Sequence, residues 1–337
     1  MKEEYLTGND VAVQAALAAG AKMMFGYPIT PSTEITTEFA HEAEKNPQLR
    51  FIQTEDETSA GFGVIGALLG GKKAFTATGG PGNVLMQDPI SMAEAMRLPF
   101  VGIITQRGGP STGTVIYSQQ EVTLTCFGGN GEGLRFVYSP SNLQEIYDLT
   151  IKTFNNAWKY RFPAFLLTDG YLVKARAKVF LNKPHYLATT KHILGDARKI
   201  VNIRNTFSCE EDLARILNEN LHDYENIKKN ICEYETYGCT NAETIVFAHG
   251  SAASACLALC KKINRVGLFR PITLRPFPDN EAKSLAKRAK KIVIVESSAG
   301  QFGRLVKNAL YGINTILFEY DRPAEGIFEE ELTRIIK

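Results

Sequence analysis

The chain has 337 residues, with 38 Lys plus Arg against 36 Asp plus Glu. That is room for two domains of ordinary size and no charge excess for a polyanion, so nucleic acid is not an expected partner. No run approaches the roughly 20 apolar residues that span a bilayer, and the amino-terminal MKEEYLTGND is not of signal-peptide type, so a soluble, cytoplasmic protein with no membrane association is expected.

In chain order, DVAVQAALAA reads as an Ala-rich helix stopped by Gly20, KMMFGY as a strand, PSTEITTEFAHEAEK as a helix and LRFIQT as a strand. ETSAGFGVIGALLGG is small or apolar all round, which predicts a helix buried on most sides. KAFTAT is a strand, TGGPGN a loop, VLMQDPISMAEAMR a helix interrupted by Pro89, and LPFVGIIT a nearly continuous apolar strand. After the glycine-rich QRGGPSTG come the helix NLQEIYDLTIKTFNNAWKY and the strand PAFLLTD. Apolar strands joined by helices predict a parallel sheet covered on both faces. Residues 176–240 turn polar and read as a connector, helical around EEDLARILNENLHDYENIKKN. Over 241–337 the rhythm returns (TIVFAHG, SAASACLALCKK, VGLFRPITL, KIVIVES), predicting a second, smaller α/β domain after the first at 1–175.

The six cysteines, Cys126, Cys209, Cys232, Cys239, Cys256 and Cys260, contain no CxxC pair, which argues against a zinc ribbon or an iron–sulfur cluster on this chain. No metal site is expected. None of the five histidines belongs to a triad or HExxH pattern.

Three places could carry chemistry. In YPITPST, Thr30 reads as an N-cap with Pro31 at the first helical position, or else the same helix start faces a carboxylate or phosphate. In EDE, an acid at a helix start is favoured by the dipole. Glu57, however, shares a stripe with Gly61, Val64 and Leu68, so its carboxyl must be paired, protonated or bonded to a ligand. In QRGGPSTG, at the end of a strand where ligands collect, Arg107 can grip a carboxylate or pair with a neighbouring acid, and Ser111 and Thr112 offer hydroxyls. TGGPGN is either a ligand-facing loop or a tight turn that needs glycine. Thr30, Glu57 and Arg107 follow parallel strands, so they could converge on one crevice.

These stretches, GNDVAVQAALAAGAKMMFGYPITPSTEI, FIQTEDE, GPGNVLMQ, QRGGPSTG and FPAFLLTDGYL, followed by RPITLRPFP and IVIVES before GQ, resemble the α subunit of 2-oxoacid:ferredoxin oxidoreductases, in particular the 2-oxoglutarate branch. The resemblance implies a thiamine-diphosphate pyrimidine-binding domain followed by a transketolase C-terminal-like domain. It implies oxidative decarboxylation of a 2-oxoacid with coenzyme A, electrons passing to ferredoxin. By the same resemblance Glu57 would hydrogen-bond N1′ of the pyrimidine, with Tyr27 and Pro28 beside the cofactor, and Thr30, Arg107, Ser111 and Thr112 would hold the substrate. A separate β subunit would carry Mg²⁺, the diphosphate site and a [4Fe–4S] cluster in an (αβ)₂ assembly, γ and δ subunits being left open. Gly79 in TGGPG and the run TVIYSQQEV depart from the branch's pattern, leaving a branched-chain or aryl 2-oxoacid as an alternative substrate. A different class, an α/β module that binds a nucleotide or metabolite without chemistry, would instead use TGGPGN alone.

Overall fold

In the computed structural model, which describes residues 2–189 and 203–336, two α/β domains follow one another, as the alternating pattern implies. The first half runs β1 (Lys2–Thr7), α1 (Gly8–Ala18), β2 (Met23–Gly26), α2 (Thr33–Lys45), β3 (Arg50–Gln53), α3 (Glu57–Leu69), β4 (Ala74–Thr78), α4 (Pro81–Leu85), α5 (Gln87–Ala95), β5 (Val101–Gln106), α6 (Val122–Phe127), β6 (Phe136–Tyr138), α7 (Leu143–Tyr160), β7 (Ala164–Asp169) and α8 (Gly170–Lys174). Then come β8 (Arg176–Leu181), α9 (Glu210–Ile231), β9 (Tyr234–Tyr237), β10 (Thr244–Phe247), α10 (Gly250–Cys260), β11 (Val266–Pro271) and β12 (Thr273–Arg275). The chain closes with α11 (Asp279–Ala286), β13 (Lys291–Glu296), α12 (Gln301–Ala309), β14 (Ile316–Asp321) and α13 (Glu329–Ile336).

The first sheet has the order β12-β6-β7-β5-β4-β2-β3 and is parallel except for β12. Its central strands β4, β5 and β7 are buried along their whole length, as helices on both faces require. On one face Phe75 packs edge-on between Phe39 and Phe154, at centroid distances of 5.4 and 5.8 Å. The second sheet is β14-β13-β10-β11-β9, parallel except for β9. The two sheets exchange edges. β9, from the stretch expected to be a connector, closes the second sheet, while β12 closes the first by pairing with β6. β8 pairs antiparallel with β1 along all of Lys2–Thr7. The rest of the connector at 190–202 lies outside the described residues.

Local signals set the starts of α1, α3, α7 and α8, where a side chain at the N-cap accepts from the first turn. Thr7 and Asp10 form a reciprocal capping box at α1, with Asp10 N donating to Thr7 Oγ1 at 3.1 Å and Thr7 N to Asp10 Oδ2 at 3.0 Å. Asp56 caps α3 by accepting from Ser59 N at 2.7 Å.

Three expectations are corrected. The helix over VLMQDPISMAEAMR breaks at Met86, and Pro89 is accommodated in the first turn of α5, where the N–H it lacks would have no intrahelical partner. The predicted α2 start is two residues early. A turn over Ile29–Ser32 intervenes, with Ser32 N and Oγ both donating to Ile29 O at 2.9 Å, so Ser32 is the N-cap position and Pro31 lies outside the helix. Helix α3 is buried on one side only. Glu57, Gly61, Val64 and Leu68 face the core, whereas Ser59, Phe62 and Gly66 remain exposed, because no element among the described residues covers that side.

Candidate active site

At the carboxyl edge of the first sheet the strand order β5-β4-β2-β3 sets four loops side by side, and the reversal of strand order between β2 and β4 opens a crevice between them. Into it come Thr30 after β2, Glu57 after β3, Gly79–Asn83 after β4 and Arg107 after β5. All follow parallel strands, which is why a sequence separation of 77 residues between Thr30 and Arg107 closes to one hydrogen bond: Arg107 Nη1 donates to Thr30 O at 2.8 Å.

Glu57 is 4% exposed. Thr78 Oγ1 donates to its Oε1 at a long 3.4 Å. Burial is the largest influence on this carboxyl and pushes its pKa above the ordinary glutamate value, against hydrogen bonds from its own backbone N–H and Thr78 and the more distant charge of Arg107. The neighbouring Asp56, half-buried and held by hydrogen bonds from Ser59, shifts the other way. One helix start therefore holds an ionised cap and, one residue later, a carboxyl inclined to keep its proton.

Glycine is required where the loop after β4 passes these groups. A Cβ on Gly82 would lie 2.1 Å from Thr78 Oγ1 and 2.2 Å from Glu57 Oε1. One on Gly80, where φ is +60°, would lie 2.6 Å from Arg107 Nε, and one on Gly79 would lie 2.1 Å from Thr105 O. TGGPGN is thus both a tight turn and the floor of the crevice. Gly82→Ala is expected to displace the Glu57 carboxyl and, in the multisubunit enzyme that the sequence resemblance implies, to lower turnover by at least about tenfold, as a misplacement of about 1 Å can cost 10²-fold; steady-state kinetics check it.

Arg107 is 5% exposed, and its Nε has no hydrogen-bond partner although buried. A guanidinium with one arm on a backbone carbonyl and another N–H unspent suits a carboxylate. Thr30 does not cap α2, so its side chain is free of the competing role that YPITPST suggested. Thr30→Val is accordingly expected to leave the unfolding free energy within about 0.5 kcal/mol of wild type, as substitutions away from caps and cores do, while raising the Michaelis constant of a carboxylate substrate gripped at Arg107. Thermal melts and initial rates separate the two.

The remaining predicted residues do not pack with these. Tyr27 is 39% exposed and Pro28 is exposed too. Ser111 and Thr112 lie on the exposed stretch 110–116, Ser111 in the left-handed region at φ 54°. Around the crevice Tyr27, Ile52, Phe62, Val84 and Leu85 are large apolar side chains left 38–59% exposed.

Sequence reasoning missed Glu121. It is 5% exposed, and its Oε1 accepts from Gly80 N at 2.8 Å and Arg107 N at 3.0 Å, while Oε2 accepts from Asn83 Nδ2 at 2.9 Å. Burial pushes this carboxyl up as well, opposed first by the bond from Gly80. It lies in the run TVIYSQQEV, and the one available signal was that departure from the expected pattern. Asn83 continues the network: Gln87 Nε2 donates to its O and Oδ1, and Arg135, buried against Glu94, donates to Gln87 Oε1 at 3.3 Å. Among the described residues no group of three or more His, Cys, Asp or Glu could hold a metal ion.

Two α/β domains in tandem, with a buried carboxyl beneath a glycine loop at the strand ends of the first, define the architecture of a thiamine-diphosphate pyrimidine-binding domain joined to a transketolase C-terminal-like domain. The family model "Pyruvate flavodoxin/ferredoxin oxidoreductase, thiamine diP-bdg" matches residues 14–241, and "Pyruvate:ferredoxin oxidoreductase core domain II" matches residues 242–323. The chain belongs to this family and is a 2-oxoacid:ferredoxin oxidoreductase α-subunit-like protein. It is 35% identical over 334 residues to the 2-oxoglutarate synthase subunit KorA of Methanocaldococcus jannaschii, covering 89% of this chain and 90% of that one. It is 33% identical over 322 residues to the ketoisovalerate oxidoreductase subunit VorB of Methanothermobacter thermautotrophicus, covering 92% and 90%. A solved 2-oxoglutarate:ferredoxin oxidoreductase from Magnetococcus marinus, with 2-oxoglutarate, coenzyme A and succinyl-CoA bound, shares the fold at a TM-score of 0.88 and 22% identity. That match covers 99% of this chain, which spans 64% of the solved one. A split-gene transketolase shares the fold at a TM-score of 0.57 and 14% identity.

Proposed function

We propose that the chain is the α subunit of an enzyme that converts 2-oxoglutarate and coenzyme A to the acyl-CoA and CO₂, with two electrons passing to ferredoxin. The carrying observation is the pairing of a buried, weakly partnered Glu57 with a buried Arg107 that keeps an unspent N–H at the same sheet edge. In this reaction the C1–C2 bond breaks, C1 leaves as CO₂, the coenzyme A sulfur loses its proton to solvent and bonds to C2, and the two electrons released leave one at a time to ferredoxin.

The residues present fit thiamine diphosphate: the Gly82 cradle leaves Glu57 in reach of a ring nitrogen, and the carboxyl's raised pKa suits sharing a proton with it. When bound, the cofactor supplies the carbon nucleophile for the 2-oxo carbon. Glu57 holds the proton at N1′, and Tyr27 and Pro28 border the ring. Arg107 and the Thr30 hydroxyl grip the C1 carboxylate, with Ser111 and Thr112 at the rim. The exposed apolar side chains around Glu57, with the open side of α3, are the surface on which a β subunit would complete the site. That subunit would bring Mg²⁺, the diphosphate site and a [4Fe–4S] cluster, in an (αβ)₂ assembly to which γ and δ subunits can be added.

A second reading takes a branched-chain or aryl 2-oxoacid. Val115 and Ile116, 45% and 53% exposed just beyond Thr112, favour it by offering apolar contact where a distal carboxylate would want a cation. The test is viologen reduction by the complex of this chain with a cluster-bearing β subunit, across a panel of 2-oxoacids. A kcat/KM for 2-oxoglutarate below that for 2-oxoisovalerate would overturn the first reading in favour of the second, and inactivity with all of them would overturn both.

A further inference from the structure

We propose that Glu121 is a positioning residue for the substrate's C1 carboxylate, and that the second domain sets its place through Ser297 and Gln301; this rests on the reading that Arg107 binds that carboxylate. A single carboxylate oxygen ties together the backbone of two loops, at Gly80 and at Arg107, and the other oxygen holds Asn83. Burying a carboxylate is expensive unless its oxygens are satisfied, and here they are satisfied by donors that belong to the crevice itself. Gly80 lies under the Arg107 side chain, with no room for a Cβ beside Nε. The position of the guanidinium therefore depends on both loops that Glu121 fastens.

The segment carrying Glu121 belongs to no strand, and much of what fixes it comes from the other domain. Gln119 N donates to Ser297 O at 3.0 Å, Ser297 N donates to Gln119 Oε1 at 3.1 Å, and Ser118 Oγ donates to Ser297 O at 3.0 Å. Gln119 Nε2 donates to His249 O at 3.0 Å. Gln301 spans Glu121 itself: its Nε2 donates to Gln120 O at 2.7 Å and its Oε1 accepts from Thr123 N at 3.0 Å. On the crevice side Gln106 Oε1 accepts from Glu121 N at 3.2 Å and Gly109 N donates to Gln120 Oε1 at 3.0 Å. The loop after β13 and the start of α12 thus reach Arg107 through Ser297, Gln301, the Glu121 segment and the backbone of two loops.

The experiment is steady-state viologen reduction by the α–β complex with the 2-oxoacid varied, for wild type, Glu121→Gln, Glu121→Ala, Gln301→Ala and the Glu121→Ala/Gln301→Ala pair. Glu121→Ala is expected to raise KM for the 2-oxoacid by about tenfold or more, with kcat within about threefold. Glu121→Gln is expected to raise KM about threefold, a partial rescue, since its carbonyl still accepts from Gly80 and Arg107 while its NH₂ meets that of Asn83. Gln301→Ala should raise KM severalfold, and the pair should fall short of the product of the single effects, because both act through one path. A purely structural role would lower kcat through loss of active protein and leave KM unchanged. That pattern in Glu121→Gln, which preserves size and can be read even where Glu121→Ala does not fold, overturns the positioning role. Multiplicative effects in the pair overturn the part assigned to the second domain. A wild-type complex inactive with every 2-oxoacid overturns the functional reading and this proposal with it, whereas an active wild type with unaltered KM in the variants overturns this proposal alone.

Discussion

Replacing Glu57 by Gln should cost the assembled enzyme about 10²–10⁴ in kcat, the usual contribution of a positioned acid–base group, with little change in KM for the 2-oxoacid. Gln keeps the shape of the side chain and can still meet Thr78, but it cannot share a proton with a ring nitrogen. The same substitution should stabilise the fold. Burial raises the carboxyl's pKa, so between the unfolded and folded values the native state binds more protons than the unfolded chain. Stability from this group is therefore present at low pH and lost as pH rises through the raised value. Glu57→Gln should raise the unfolding midpoint of the cofactor-free complex at pH ~8, and the gain should shrink as pH falls toward ~4.3, the ordinary glutamate value. Near wild-type turnover in this variant would remove Glu57 from the chemistry, and an unaltered or lowered midpoint at high pH would contradict the desolvation argument.

Arg107→Ala should act on the other side of the kinetic ledger. A hydrogen bond to a charged group contributes about 1.5–3 kcal/mol, so KM for the 2-oxoacid should rise on the order of 10- to 150-fold, with a smaller loss in kcat. Arg107→Lys should rescue little. An ammonium lacks the fork that reaches Thr30 O and a carboxylate together. Competition by a carboxylate analogue of the substrate, weakened in parallel with KM, would show that binding rather than folding is affected. If KM stays within twofold for every 2-oxoacid, Arg107 is a structural tie between β5 and the loop after β2.

Much of this site was legible before any coordinates. The spacing of Glu57 with Gly61, Val64 and Leu68 implied a carboxyl on a core-facing stripe, and all four are buried. Of the two readings open for TGGPGN the tight turn is the one observed, since Thr105, Arg107, Thr78 and Glu57 crowd its glycines. Of the two readings open for Thr30 the cap is not realised, although Thr-Pro before a polar helix has the local signature of one. The turn that displaces it is recognisable only from the bonds of Ser32 to Ile29.

The alternation of strands and helices, the parallel sheets, the family, and the placing of Thr30, Glu57 and Arg107 on one edge are all readable from the residues in order. These depend on periodicity and on the order of elements, which are local and cumulative properties of a chain. Only tertiary contacts settle that β9, from the connector, closes the second sheet while β12 closes the first, that α3 keeps an open face, and that Glu121 fastens the crevice. Glu121 meets Gly80, Asn83 and Arg107 across separations of 41, 38 and 14 residues. A buried polar group is defined by the donors that the fold brings to it, and such pairings leave no period in the sequence to read.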